Sequence, residues 1–188
     1  AASLYHWNSS AVSEIAALYP EMTVREIPIE LSGREVNAML EHCYEKCLGQ
    51  AEHIRNIKDI QKKEAFEVLI HGRIPVMQST QCMKKTTGHC NKTSEEIWLE
   101  DKKGRKLPVT THCRECYNLI WQEKPYDLIG EDLTGSIPYV TRHRFDLFHM
   151  SEKEIKEMKD RYLIWQENHF MCDLQKDDTE HHWNYGIE

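Results

Sequence analysis

No stretch of this sequence approaches the roughly 18 consecutive apolar residues that crossing a bilayer requires, so no membrane partner is expected. The opening "AASLYHWNSS" holds no basic region followed by an apolar one, the pattern of a secretory leader. It also holds no Met, so a fragment or trimmed chain is expected, and the reducing cytoplasm is the expected compartment. Neither H-E-x-x-H nor G-x-S-x-G occurs, and no nucleophile stands beside an obvious base, so the usual signatures of a protease are missing. Internal repeats and low-complexity segments are missing too. Nor is there an excess of positive charge. With 24 Lys and Arg against 31 Asp and Glu, the net charge of -7 argues against general nucleic-acid binding, though a local basic patch stays open.

What is present suits a globular chain. Its 188 residues fit one domain, or one with an appendage, and 40% apolar residues suffice to bury a core. "SLYHWN" reads as a short strand, and Ser10 as the cap of a helix from about Ala11 to Leu18, stopped by Pro20. "MTVREIPIE" reads as a second strand. Ser32 and Glu35 form a capping box that opens a helix from about Gly33 to Leu48. Val36, Met39, Leu40, Cys43 and Cys47 share one side of it, and Gly49 is expected to end it. "AEHIRNIKDIQKKEA" reads as a further helical turn or two. "FEVLIHGRIPVM" reads as one strand, apolar enough to be buried on both faces. Strand, helix, strand, helix, strand is the grammar of a parallel α/β sheet.

The grammar then changes. "EEIWLED" and "RKLPVTT" alternate in polarity, and "DKKG" between them predicts a hairpin in which Gly104 supplies a positive φ. Ser151 and Glu154 form another capping box, followed by Ile155, Met158, Tyr162 and Trp165 at helical spacing. The tail from about Gln175 is charged and expected to be loosely held.

Four of the seven cysteines flank the hairpin, Cys82 and Cys90 before it, Cys113 and Cys116 after it. Pairing the two strands should bring all four thiols to one end. In a reducing compartment, paired cysteines more often bind metal or do redox chemistry than form disulfides. The C-x2-C spacing suits a tight turn whose two sulfurs face one ion, whereas C-x7-C needs a loop, which Gly88 and its polar neighbours suit. Three readings stay open: free buried cysteines, a structural zinc on four thiolates, and an iron–sulfur cluster. His89 and His112, next to cysteines, read as supporting residues or as replacement ligands. Cys43 and Cys47 read as core, and Cys172 has no partner in sequence. From Cys82 to Cys116 the count is eight basic against five acidic residues, a net of +3, so this module is basic on an acidic body.

"HGRIPVMQSTQC" followed by "WLEDKKGRKLPVTTHCRECYNLIW" resembles the peptidase U32 family, the collagenase-like proteases. The family carries a G-R-x-P-x-M strand, a Cys pair, a D-(R/K)-x-G hairpin leading to P-V, and a second Cys pair before Tyr-Asn. "SLYHWNSSA" and "IPIELS" resemble its upstream elements, so the likeness spans about residues 1 to 130. His71 stands where the family often has Tyr, and Ser32 where it has Asn.

The resemblance implies an α/β fold: the end of a TIM-like (β/α) barrel over residues 1–79, a cysteine and β-hairpin module over 80–130, and a C-terminal helical segment over 131–188. With about three strands before the module, the missing N-terminal barrel half is an expected partner. Function is divided within the family. One branch implies a collagen-degrading peptidase acting on peptides. Others imply oxygen-independent hydroxylation of RNA or of a small-molecule precursor by a [4Fe–4S] protein, with Cys82, Cys90, Cys113 and Cys116 as the matching ligands. A zinc that merely staples a non-catalytic scaffold is the further alternative. The matched motifs also nominate Glu30 as a catalytic carboxylate, against the plainer reading of a helix N-terminal acid, and Asn8 and Arg73 as substrate contacts.

Overall fold

The computed structural model describes residues 7–19, 24–50, 65–131 and 140–168. They form a mixed α/β structure of two compact units: Ala1–Ile70 with Leu128–Phe145 and Met158–Glu188, and His71–Asp127 with Asp146–Glu157. No closed barrel forms among the described residues.

In the first unit, helix α1 spans Ser9–Leu18. Its cap is Asn8 and not Ser10: Asn8 keeps an extended backbone while its Oδ1 accepts from the Ala11 amide at 2.9 Å. Both residue types cap well, and the one that leaves the chain extended fixes the start. The strand expected over "SLYHWN" lies outside the described residues as far as His6, and Trp7 and Asn8 are not strand.

Strand β1 (Val24–Glu26) and strand β2 (Ala65–Gly72) pair in parallel, Arg25 opposite Phe66, with helix α2 (Gly33–Gln50) on the connection between them. This is the expected strand–helix–strand grammar. The Ser32–Glu35 capping box forms: Glu35 Oε2 accepts from the Ser32 amide at 2.8 Å and its hydroxyl at 2.7 Å. Val36, Met39, Leu40 and Cys43 are buried at the spacing of one helix face, each apolar side chain worth about 1.5–3 kcal/mol. The helix runs through Gly49 to Gln50, so Gly49 does not end it. A helical glycine costs only about 1 kcal/mol, which a continuing hydrogen-bond ladder tolerates. The helical turns expected beyond Gln50, the side chain of Cys47, Cys172 and the tail from Gln175 lie outside the described residues.

Phe66, Val68, Leu69 and Ile70 bury both faces of β2. Strand β8 (Val140–Phe145) also pairs with β2, and its Arg144 reaches Glu26 at 2.5 Å.

"FEVLIHGRIPVM" is not one buried strand. It breaks after Gly72 and resumes as β3 (Pro75–Ser79), which is largely exposed: Val76 is 54% and Met77 57% accessible. Two causes act together, one local and one distant in sequence. Pro75 cannot donate to a ladder and restricts Ile74. Gly72 lets the chain at Asp146 approach so closely that an added Cβ would lie 2.6 Å from the Asp146 Cβ.

The second unit holds a four-stranded antiparallel sheet with β3 at one edge. Strands β4 (Glu96–Glu100) and β5 (Lys106–His112) are the expected hairpin. Gly104 takes φ +79°, while Asp101 Oδ1 accepts from the amides of Lys103 at 2.8 Å and Arg105 at 3.0 Å. Strand β6 (Tyr117–Trp121) pairs with both β5 and β3 and makes the hairpin a four-stranded sheet. The short β7 (Tyr126–Asp127) pairs antiparallel with the end of β2, His71 opposite Asp127.

A staple holds the segment after β8 on this sheet. His149, with φ +60°, places Nε2 3.0 Å from Thr110 Oγ1 and Nδ1 3.0 Å from Glu96 Oε1, and Trp121 Nε1 donates to the same threonine at 3.0 Å. Helix α4 (Glu152–Asn168) then begins at the expected Ser151–Glu154 capping box, and it buries Met158 and Trp165.

Candidate metal centre

The module is built from the register of β6. Its partner β5 ends at His112, opposite Tyr117, so Cys113–Cys116 is the four-residue turn between two paired strands. Cys116 takes φ +57°, which lets the chain re-enter the sheet at Tyr117. Stacked rings of His112 and Tyr117, 4.3 Å apart, close the turn. On its other side β6 pairs with β3, Asn118 opposite Ser79, so the chain leaving β3 towards Cys82 starts from the same end of the sheet.

Two buried polar side chains fix that chain. Asn118 is 1% exposed, and its Nδ2 donates to the Gln81 carbonyl at 2.8 Å and the Ser79 carbonyl at 3.3 Å. These bonds occupy an amide that would be costly to bury unpaired. Cys82 caps the short helix α3 (Met83–Thr86), its Sγ accepting from the Lys85 amide at 3.4 Å. Lys84 in that helix is 4% exposed, and its ammonium donates to Asn91 Oδ1 and, at 2.8 Å, to the Thr93 carbonyl. It also pairs with Glu95. The bond to Glu95 pushes the ammonium upward against the cost of desolvation. Lys84 therefore ties the whole Cys82–Cys90 loop to the first residues of the hairpin. Cys113 lies against the same stretch, its amide donating to Ser94 Oγ at 3.0 Å and its Sγ lying 2.9 Å from the Thr93 carbonyl oxygen.

All four expected thiols are free, and they lie on loops at one end of a single sheet. Cys82 and Cys113 are half-buried, Cys90 and Cys116 exposed. Their sulfurs are turned to local partners, Cys116 Sγ towards the Cys113 carbonyl at 3.6 Å. Among the described residues no three His, Cys, Asp or Glu side chains stand as a ligating group. The donor set by itself, four thiols and no carboxylate in the loops between each pair except Glu115, has the chemistry of a zinc or iron–sulfur ligand set. Cys43, one of the two cysteines expected in the core, is 6% exposed in α2.

The other nominated residues stand as follows. Arg73 donates through Nη1 to the carbonyls of Gln122, at 3.0 Å, and Glu123, clamping the loop after β6. Glu30 occupies the turn between β1 and α2, closed by Leu31 N donating to Pro28 O at 3.4 Å, and is half-buried. Its Oε2 is shielded from solvent without a hydrogen bond among the described residues. Asn8 serves the α1 cap. His71, where the resemblance expects Tyr, is 4% exposed, with Nδ1 3.4 Å from Asp127 Oδ1.

Sequence reasoning missed Lys84, Asn118 and His149. Asn118 carries a signal, since it follows a Cys-x2-Cys turn by two positions. Lys84 carries none, because its burial depends on Glu95, eleven residues on.

No family model, no curated protein and no solved structure matches this chain.

Proposed function

We propose that the sheet module binds a metal ion or iron–sulfur cluster through Cys82, Cys90, Cys113 and Cys116. On this reading the chain is the C-terminal part of a U32-type protein acting on RNA or a small-molecule precursor by oxygen-independent hydroxylation. The observation that carries the binding is the double register of β6, which starts both cysteine-bearing loops from one end of one sheet. Lys84 and Asn118 supply the support that a thiolate site needs, since each spends a buried side chain on holding the loop carrying Cys82 and Cys90. A bound cluster would supply redox chemistry. The protein's own groups would bring the thiolates together and, through the Lys84 ammonium, offset part of their negative charge. The substrate rests on the resemblance alone.

Anaerobic purification followed by iron, zinc and acid-labile sulfide analysis with an absorption spectrum tests the reading. Iron with sulfide and a broad visible charge-transfer band supports the redox enzyme. Stoichiometric zinc without sulfide leaves a stapled scaffold, and absence of any bound metal removes the proposal.

A further inference from the structure

Strand β4 is the last in its sheet, and no described strand pairs with its outer edge. In an antiparallel ladder alternate residues bond to the neighbour and the others point their N–H and C=O away. Thr111 N donates to Glu95 O at 3.0 Å, and Asp101 N to Arg105 O at 3.0 Å. These pairs fix the phase, so Ile97 and Leu99 bond inward to β5. Glu96, Trp98 and Glu100 then present their backbone groups to the open edge. The same three residues carry the exposed side chains of the strand, and Trp98 is 60% accessible. They repeat every second position, about 6.8 Å apart.

Edge strands are usually blunted by charge, and Glu96 and Glu100 do this against a second copy. Antiparallel pairing of two β4 edges would set Glu96 opposite Glu100, like charge on like. A tryptophan exposed between the two glutamates is the feature that blunting does not explain. Trp98 beside Glu100 is a surface complementary to cations, because an indole face attracts an ammonium or guanidinium and the neighbouring acid adds to it, whereas the Glu96 carboxylate already lies 3.0 Å from His149 Nδ1.

We propose that the outer edge of β4 docks an extended basic peptide by strand addition, with Lys or Arg at alternate positions facing Trp98 and Glu100. Main-chain bonds to the N–H and C=O groups of Glu96, Trp98 and Glu100, unpaired among the described residues, provide the hold, and the alternating cations provide the choice of partner. The proposal goes beyond the thiolate reading and does not depend on it.

The test uses the full chain and a labelled peptide of alternating Lys and Val, followed by fluorescence anisotropy. Two control peptides replace Lys by Glu or carry N-methyl groups on alternate amides. The expected result is saturable binding of the Lys peptide and none of either control. Trp98→Ala should weaken binding about 2- to 5-fold, the range of an exposed cation–π contact, and Glu100→Lys should weaken it further. Both side chains are exposed, so folding should survive, and the N-methyl control on the unmutated protein stands even if it does not. Equal binding of the N-methylated peptide, equal binding of the Glu peptide, or no binding at all would show a guarded edge only and overturn the proposal.

Discussion

The buried amide of Asn118 donates to the carbonyl of Gln81 at 2.8 Å, tying the residue before the first module cysteine to the strand that follows the last one. Removing it leaves two carbonyls, of Ser79 and Gln81, without that donor. Asn118→Ala should therefore cost about 1–3 kcal/mol of stability and raise amide exchange across Gln81–Cys90 more than across the β4–β5 hairpin. Chemical denaturation with site-resolved exchange checks both. Uniform loosening of the whole sheet would mean that Asn118 is ordinary core.

Gly72 lies where an added Cβ would meet the Asp146 Cβ at 2.6 Å and the Asp146 carbonyl oxygen at 2.9 Å. Gly72→Ala should destabilise by about 1–3 kcal/mol, the usual cost of overpacking. It should also lengthen the Asp146 N to His71 O bond, now 2.8 Å. Thermal unfolding reads the first effect and exchange of the Asp146 amide the second.

His143 titrates against the fold. Burial lowers its pKa below the ordinary 6.5, so the folded state favours the neutral ring, which lies 2.9 Å from Tyr162 Oη and stacks on Trp165. A lowered histidine gives stability that is present above 6.5 and is lost as pH falls from there through the folded value. Stability should therefore decline on acidification below 6.5, and His143→Gln should flatten that part of the profile. An unchanged slope in the variant would assign the loss to other groups.

The elements legible from sequence are those whose causes are local. Both capping boxes form because serine and glutamate three residues apart satisfy each other, and the hairpin forms because Asp101 and Gly104 close their own turn. The parallel β1–α2–β2 unit followed from strand composition, a capping box and apolar spacing. The errors have non-local or competing causes. Asn8 outcompeted Ser10 for the cap, and Pro75 with the close approach of Asp146 split a strand that reads as continuous. The module's support was hidden for the same reason: Lys84 meets Glu95, and His149 meets Thr110 39 residues away. The spacing of the cysteines is visible in the sequence, whereas the side chains that hold their loops are not.

Metal stoichiometry of Cys113→Ser beside Cys43→Ser, both purified anaerobically with the unmutated protein, tests the thiolate reading most directly. On that reading, drawing four thiolates to one ion would turn its binding free energy into folding free energy for the loops that carry them. Cys113→Ser should lose most of the bound metal and loosen the Cys82–Cys90 loop, leaving β1 and α2 protected from exchange. Cys43→Ser, altering a buried helix residue, should keep full metal and lose only packing. Full retention by the Cys113 variant, or loss from the Cys43 variant, would contradict the assignment of the four cysteines.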